Sequence, residues 1–162
     1  MDKLTFGGEF VITCYSKNGN VKWTEKTHNL VVNEGLDSIL DSFFIGGTVY
    51  PNFYIGLVSS SPVISAGDTL ANHPGWSEIS DYNEGQRQEF VETRSGETVD
   101  NTANLATFSI NNSAIIGGSF ITSAQTGTTG ILLAASAFSN GEKNVSDGDT
   151  IKVMYEFRAA SS

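Results

Sequence analysis

Two imidazoles, His28 and His73, one thiol, Cys14, and eighteen acidic side chains are what this chain of 162 residues offers for bond-making chemistry. No His-x-x-x-His, Cys-x-x-Cys or His-Glu-x-x-His spacing sets up a metal site. The sequence also lacks a Gly-x-Ser-x-Gly elbow, a phosphate-binding glycine loop ending in Lys-Ser or Lys-Thr, and a dinucleotide fingerprint. A glycosidase-like carboxylate pair would have to come from Glu78 with Glu84 or Glu89, and the loop between them sets no separation. His73 has the chemistry of a general base, but beside a Pro-Gly turn a solvated ring is the simpler expectation. Cys14 has no visible histidine or cationic neighbour to lower its pKa and reads as a small buried hydrophobe. The expectation is a protein that is not an enzyme, with no catalytic, metal-binding or cofactor-binding residue.

One short pattern occurs twice, "SAGDTL" (65–70) and "SDGDTI" (146–151). Calcium ligation by Asp68 or Asp149 is the sharper reading. A repeated turn, with Asp or Thr hydrogen-bonding local backbone before an apolar residue enters a strand, is the plainer one. The alternating carboxylates of a calcium loop are missing, which favours the turn.

The stretch "HPGWSEISDYNEGQRQEF" (73–90) concentrates aromatic and charged residues without a clear period. Its candidates for protein interaction are His73, Trp76, Tyr82 and Arg87. In one reading Trp76 and Tyr82 bury their rings over a sheet edge, and Arg87 pins the segment by bonding Asp81, Glu84 or a carbonyl. In the other the segment is a contact arm, since Trp, Tyr and Arg often dominate interfaces. Exposed, Trp76 and Tyr82 would also suit stacking on sugar rings, with Asp81 and Asn83 binding hydroxyls.

These residues need elements to position them. Gly is abundant, at 17, and Lys- or Glu-rich helical stretches are absent, which favours short strands and turns. "EFVITCYS" and "VKWTEK" flank Asn18-Gly19, the signature of a type I′ hairpin. That turn pairs Cys14 with Trp23 and Tyr15 with Lys22, and it places Phe10, Ile12, Cys14, Val21 and Trp23 on one face. One helix is expected over about 34–45. Asn33 is its N-cap, Leu36, Ile39, Leu40, Phe43 and Phe44 form an apolar stripe that closes one end of a sandwich or, with the same pattern, binds a partner, and Gly46-Gly47 ends it. Further strands are expected at 52–58, 88–93, 104–110, 114–123, 130–139 and 149–158. In the last, Ile151, Val153, Tyr155 and Phe157 alternate with Lys152, Met154, Glu156 and Arg158. About eight strands imply an all-β fold: an antiparallel β-sandwich, jelly-roll or immunoglobulin-like, with one short α-helix, in a single domain over 1–162.

Nine basic against eighteen acidic residues give a net charge of −9. Nucleic-acid binding needs clustered Lys and Arg, and these are scattered. The longest strongly apolar stretch, "GILLAASAF", is far short of a membrane span, and "MDKLTFGGEF" has no apolar core of a signal peptide. No nucleic-acid or membrane partner is expected.

The run from Tyr54-Ile55-Gly56-Leu57 through Ala66-Gly67-Asp68-Thr69 and His73-Pro74-Gly75-Trp76 to Tyr82-Asn83-Glu84-Gly85-Gln86-Arg87 resembles a family of small proteins of tailed bacteriophages and prophages. The likeness continues in "NLVVNEGLDSILDSFF", "GGSFITS", "GTTGILLAASAFS" and "DGDTIKV" and covers about residues 9–158. Gln88 and Leu133 stand where relatives often carry Pro and an aromatic residue. The resemblance implies a virion structural protein, a cement or decoration protein bound to the major capsid protein on the outer capsid surface. It would assemble in the host cytoplasm and be able to self-associate as a homo-oligomer. A tail or fibre component recognising a host glycan is the alternative.

Overall fold

A computed structural model describes residues 2–161. In chain order the elements are β1 (Leu4–Tyr15), β2 (Val21–His28), β3 (Leu30–Val31), helix α1 (Asn33–Phe44), β4 (Phe53–Val58), β5 (Glu78–Ile79) and β6 (Gln88–Phe90). There follow β7 (Thr93–Ser95), β8 (Thr98–Asp100), β9 (Ala106–Ser109), β10 (Ala114–Ile116), β11 (Gly118–Thr122), β12 (Leu132–Ala137), β13 (Lys143–Val145) and β14 (Thr150–Ser161). The described residues thus form fourteen strands rather than about eight. Many have two or three residues, too short to show an alternating pattern.

The fold is an all-β antiparallel sandwich with a single short helix. One six-stranded sheet runs β2-β1-β14-β8-β7, with β9 also on β14; the other runs β3-β12-β11-β4-β5, with β6 also on β4. β10 and β13 form a separate pair. The two ends of the chain are joined along the first sheet, β1 pairing with β14 from Leu4 opposite Ser161 to Tyr15 opposite Thr150. Phe10, Ile12, Cys14, Ile151, Val153 and Tyr155 point from this sheet into the main core and meet Ile55, Leu57, Ile121 and Ala134 of the second. The expected alternation of β14 is present, with Ile151, Val153 and Tyr155 fully buried.

β14 changes partner part-way, from β9 opposite Thr150–Val153 to β8 opposite Glu156–Arg158. Asn101 fills the break. Its Nδ2 donates to the Val153 carbonyl at 3.1 Å, and its Oδ1 accepts the Tyr155 N–H at 2.7 Å. One fully buried amide thereby supplies the donor and acceptor that a missing strand residue would have provided.

The first hairpin departs from expectation at its turn. Gly19 N–H donates to the Ser16 carbonyl and Ser16 N–H to the Asn20 carbonyl, with Gly19 at φ 87°. Among non-glycine residues described, positive φ occurs at Ser61 and not at Asn18, which rules out a type I′ turn. The connection is a turn followed by a left-handed glycine, which shifts the register by one residue. Cys14 still faces Trp23, but Tyr15 faces Val21 instead of Lys22. Val21 is therefore exposed, and the inward face of β2 is completed by Glu25 and Thr27, both buried.

The second sheet is covered on both faces, which explains why β11 and β12 read as almost unbroken small and apolar runs. Its outer face carries Val58, Phe120, Leu132 and Ala135, packed with Val32, Leu70 and Trp76 from the connections around it. The helix sits against β12, where a Cβ on Gly35 would lie 2.4 Å from the Leu133 carbonyl oxygen. Val32, not Asn33, occupies the N-cap, and no side chain caps the helix. Glu34 instead reaches outward, one carboxylate oxygen accepting the N–H of Leu70 at 2.8 Å and of Leu132 at 2.7 Å.

The apolar stripe of α1 does not close the sandwich as expected. Leu36 and Ile39 are half-buried, but Leu40, Phe43 and Phe44 are exposed. The helix overruns the edge of the sheet beneath it, so its last turn has nothing to pack on.

Candidate functional site

The 73–90 segment belongs to the cover over the outer face of the second sheet. Ser59 N–H bonds the Ser77 carbonyl and Val63 N–H the Gly75 carbonyl, folding the loop back along itself. Gly75 permits this approach, since a Cβ there would lie 2.2 Å from the Val63 carbonyl oxygen.

Trp76 is 6% exposed, lying against Phe120 at 5.1 Å between centroids. Its indole N–H donates to Asp68 Oδ2 at 3.0 Å. His73 stacks on the indole, 3.7 Å between centroids and 16° from parallel. The His73 Nδ1 lies 2.9 Å from the Trp76 carbonyl, an acceptor, so Nδ1 carries the proton in this contact. His73 itself is half-buried.

Tyr82 bridges to Ile110 and sets its ring edge-to-face on Phe108 at 4.9 Å. Burial, and then the Glu78 carboxylate, push its phenol up to about 12. Arg87 is 5% exposed. Its Nε and Nη2 donate to the two oxygens of Glu78 at 2.9 and 2.7 Å, and Nη1 donates to the Ala124 carbonyl at 2.7 Å. The guanidinium also lies 5.3 Å from the centroid of Phe120. A carbonyl partner was expected. The acidic partner is Glu78 rather than Asp81 or Glu84.

Trp76 and Arg87 therefore sit against Phe120 of the second sheet, with His73 at the rim, while Tyr82 packs into the main core against Phe108 of the first sheet. The reading of buried rings with Arg87 pinning the segment describes this geometry. The condition for sugar stacking is not met, because Trp76 is 6% and Tyr82 3% exposed.

Of the three carboxylates considered for catalysis, Glu78 and Glu84 are engaged, and Glu89 is exposed on β6. Glu78 is held by Arg87. Glu84 accepts the Ser109 N–H at 3.0 Å with both oxygens and the Ser109 hydroxyl at 2.7 Å. The two Ser-x-Gly-Asp turns are built alike. Asp68 N–H donates to the Ser65 carbonyl while its carboxylate accepts Ser65 N–H at 2.9 Å; Asp149 does the same with Ser146, at 2.8 Å for the carboxylate bond. The plainer reading of the repeated pattern describes them both. Asp149 also takes Lys22 Nζ at 2.5 Å and lies 3.7 Å from the Cys14 sulfur. Burial, then Asp149, push the Cys14 thiol up to about 12, outweighing Lys22. Lys22 is a cationic neighbour that strand alternation had pointed away from Cys14. Among the described residues no group of three His, Cys, Asp or Glu side chains is placed to hold a metal.

The helix end departs from the core-closing reading of its stripe and leaves open the partner-binding one. Phe43, Phe44 and Ile45 are 80, 73 and 76% exposed, and Val49 just beyond is 73% exposed. The signal was present: three consecutive apolar residues span more of a helix than one buried face can use.

No family model and no curated protein matches this chain.

Proposed function

We propose that this chain is a non-enzymatic structural protein of a tailed-bacteriophage particle, a cement or decoration protein that seats on the outer capsid surface and stabilises the head. Its partner in this reading is the major capsid protein, and it assembles in the host cytoplasm. The observation that carries the reading is a two-sheet scaffold whose acidic side chains fix its own loops and chain pairings. Asp68, Glu34, Glu84 and Glu142 bond backbone N–H groups, while Glu25, Glu78 and Asp149 pair with Lys143, Arg87 and Lys22. Such side chains fix loops.

Charge supports an outside position. A net charge of −9 is repelled by packaged phosphate and suits a surface facing solvent. On the face covered by the 73–90 segment, a partner would meet His73, which is held by stacking on Trp76. No nucleic acid, membrane or cofactor enters this reading. No helix among the described residues is long and apolar enough to cross a membrane.

The test is to mix purified protein with expanded capsids that lack it and follow pelleting and heat resistance. Saturable binding with raised heat resistance supports the proposal. Protein left in the supernatant, or binding without a gain in resistance, overturns it.

A further inference from the structure

The overrunning helix end and the cleft beside it fit each other in kind. Phe43 and Phe44 pack edge-to-face, 4.9 Å between centroids and 73° apart, so the projecting knob is already ordered. Gly46, at φ 70°, turns the chain, and Gly47 N–H closes back on the Asp41 carbonyl at 2.8 Å. Next to this knob is an apolar cleft of about 260 Å³ between the two sheets, walled by Ile39, Phe53, Phe90, Leu133 and Phe157, with Glu92 its one charged lining residue. Ile39 is one helical turn before Phe43, so knob and cleft share an edge of the molecule.

We propose that this end of the sandwich is a self-association surface, in which the Phe43–Phe44 knob of one copy seats in the cleft of another. The inference goes beyond the shell-binding reading and does not depend on it. Area argues for a second copy. Leu40, Phe43, Phe44, Ile45 and Val49 are each more than half exposed, and together they expose roughly 700 Å², near the roughly 800 Å² each partner buries in a stable complex. Form argues for it too. A projecting and a receiving surface side by side allow identical copies to exchange contacts and close.

Charge gives the contact a signature. Asp37 and Asp41 line a different cleft on the helix, together with Glu34, Thr48 and Tyr50. They stay outside the apolar contact, while two copies of charge −9 repel each other at long range. Added salt screens that repulsion and leaves apolar burial intact, so association strengthens with salt. A partner that docked through Lys or Arg would bind more weakly instead.

The experiment is sedimentation equilibrium of the full chain at about 1–100 µM, in about 50 and 500 mM NaCl. Expected are a dimer or closed ring that grows with concentration, with affinity rising about threefold or more at high salt. The double variant Phe43→Ser, Phe44→Ser is expected to stay monomeric with unchanged circular dichroism. A mixed isotope-labelled sample is expected to show intermolecular contacts from Phe43 to Phe53 or Phe157. A wild type monomeric throughout overturns the proposal, including one that binds only when capsids are added. So does association that survives in the variant, or that weakens with salt.

Discussion

Arg87 grips Glu78 with two parallel hydrogen bonds, 2.9 and 2.7 Å, beneath the segment that covers the second sheet. The third arm of the guanidinium reaches the Ala124 carbonyl, so one side chain ties three stretches of chain. Arg87→Ala is expected to cost about 3 kcal/mol, because it strands Glu78 and the Ala124 carbonyl in a mostly dry site. Arg87→Lys recovers less than half of this, since an ammonium cannot make the fork. Urea unfolding of the three proteins measures both.

Asn101 stands in for a strand residue where β14 changes partner. Asn101→Ala leaves the Val153 carbonyl and the Tyr155 N–H without their partner, at a cost of about 3 kcal/mol or roughly 6–12 °C in Tm. Asn101→Asp is expected to be at least as damaging, since it keeps the acceptor and opposes a carboxylate to the Val153 carbonyl. Thermal unfolding followed by calorimetry gives the values.

Gly56 and Phe120 are directly opposed across β4 and β11. The ring lies over the glycine so closely that a Cβ there would be 2.4 Å from two ring carbons. Gly56→Ala therefore forces Phe120 out of its contacts with Trp76 and Arg87, at about 2–3 kcal/mol. Trp fluorescence reports the displacement, and unfolding reports the cost.

Cys14 and Tyr82 hold their protons more tightly folded than unfolded. Both are raised to about 12, from 9.0 and 10.0. A raised acid contributes stability that is complete below its unfolded pKa and is lost as pH climbs toward the folded one. Stability is thus expected to be flat with respect to these two groups below pH 9 and to fall between about 9 and 12. Cys14→Ala is expected to make the first part of that decline shallower. Urea midpoints measured across this range check the slope.

Much of the scaffold was legible in the sequence, and the losses have physical causes. The alternation of β14 survives because one of its faces is buried and the other is wetter. The Asn18-Gly19 signal located the hairpin but not its register. Both candidate turns need a left-handed residue at Gly19, and they differ only at Asn18. Periodicity placed the helix within one residue, yet the same periodicity describes a stripe facing a core and a stripe facing a neighbour. Over 73–90 the composition was legible as a cover, but the pairing of Arg87 with Glu78 depends on loop closure, which no spacing encodes. Asn101 carried no signal at all. Its role exists only because β8 and β9 end at the same place on β14.

The most direct test of the central claim is the position of this chain in a reconstructed particle map, with a gold- or domain-tagged copy marking it. The account predicts density on the outer face of the head, in contact with major capsid subunits and absent when the chain is deleted. Density against the packaged genome, or confined to the tail fibres, would contradict it.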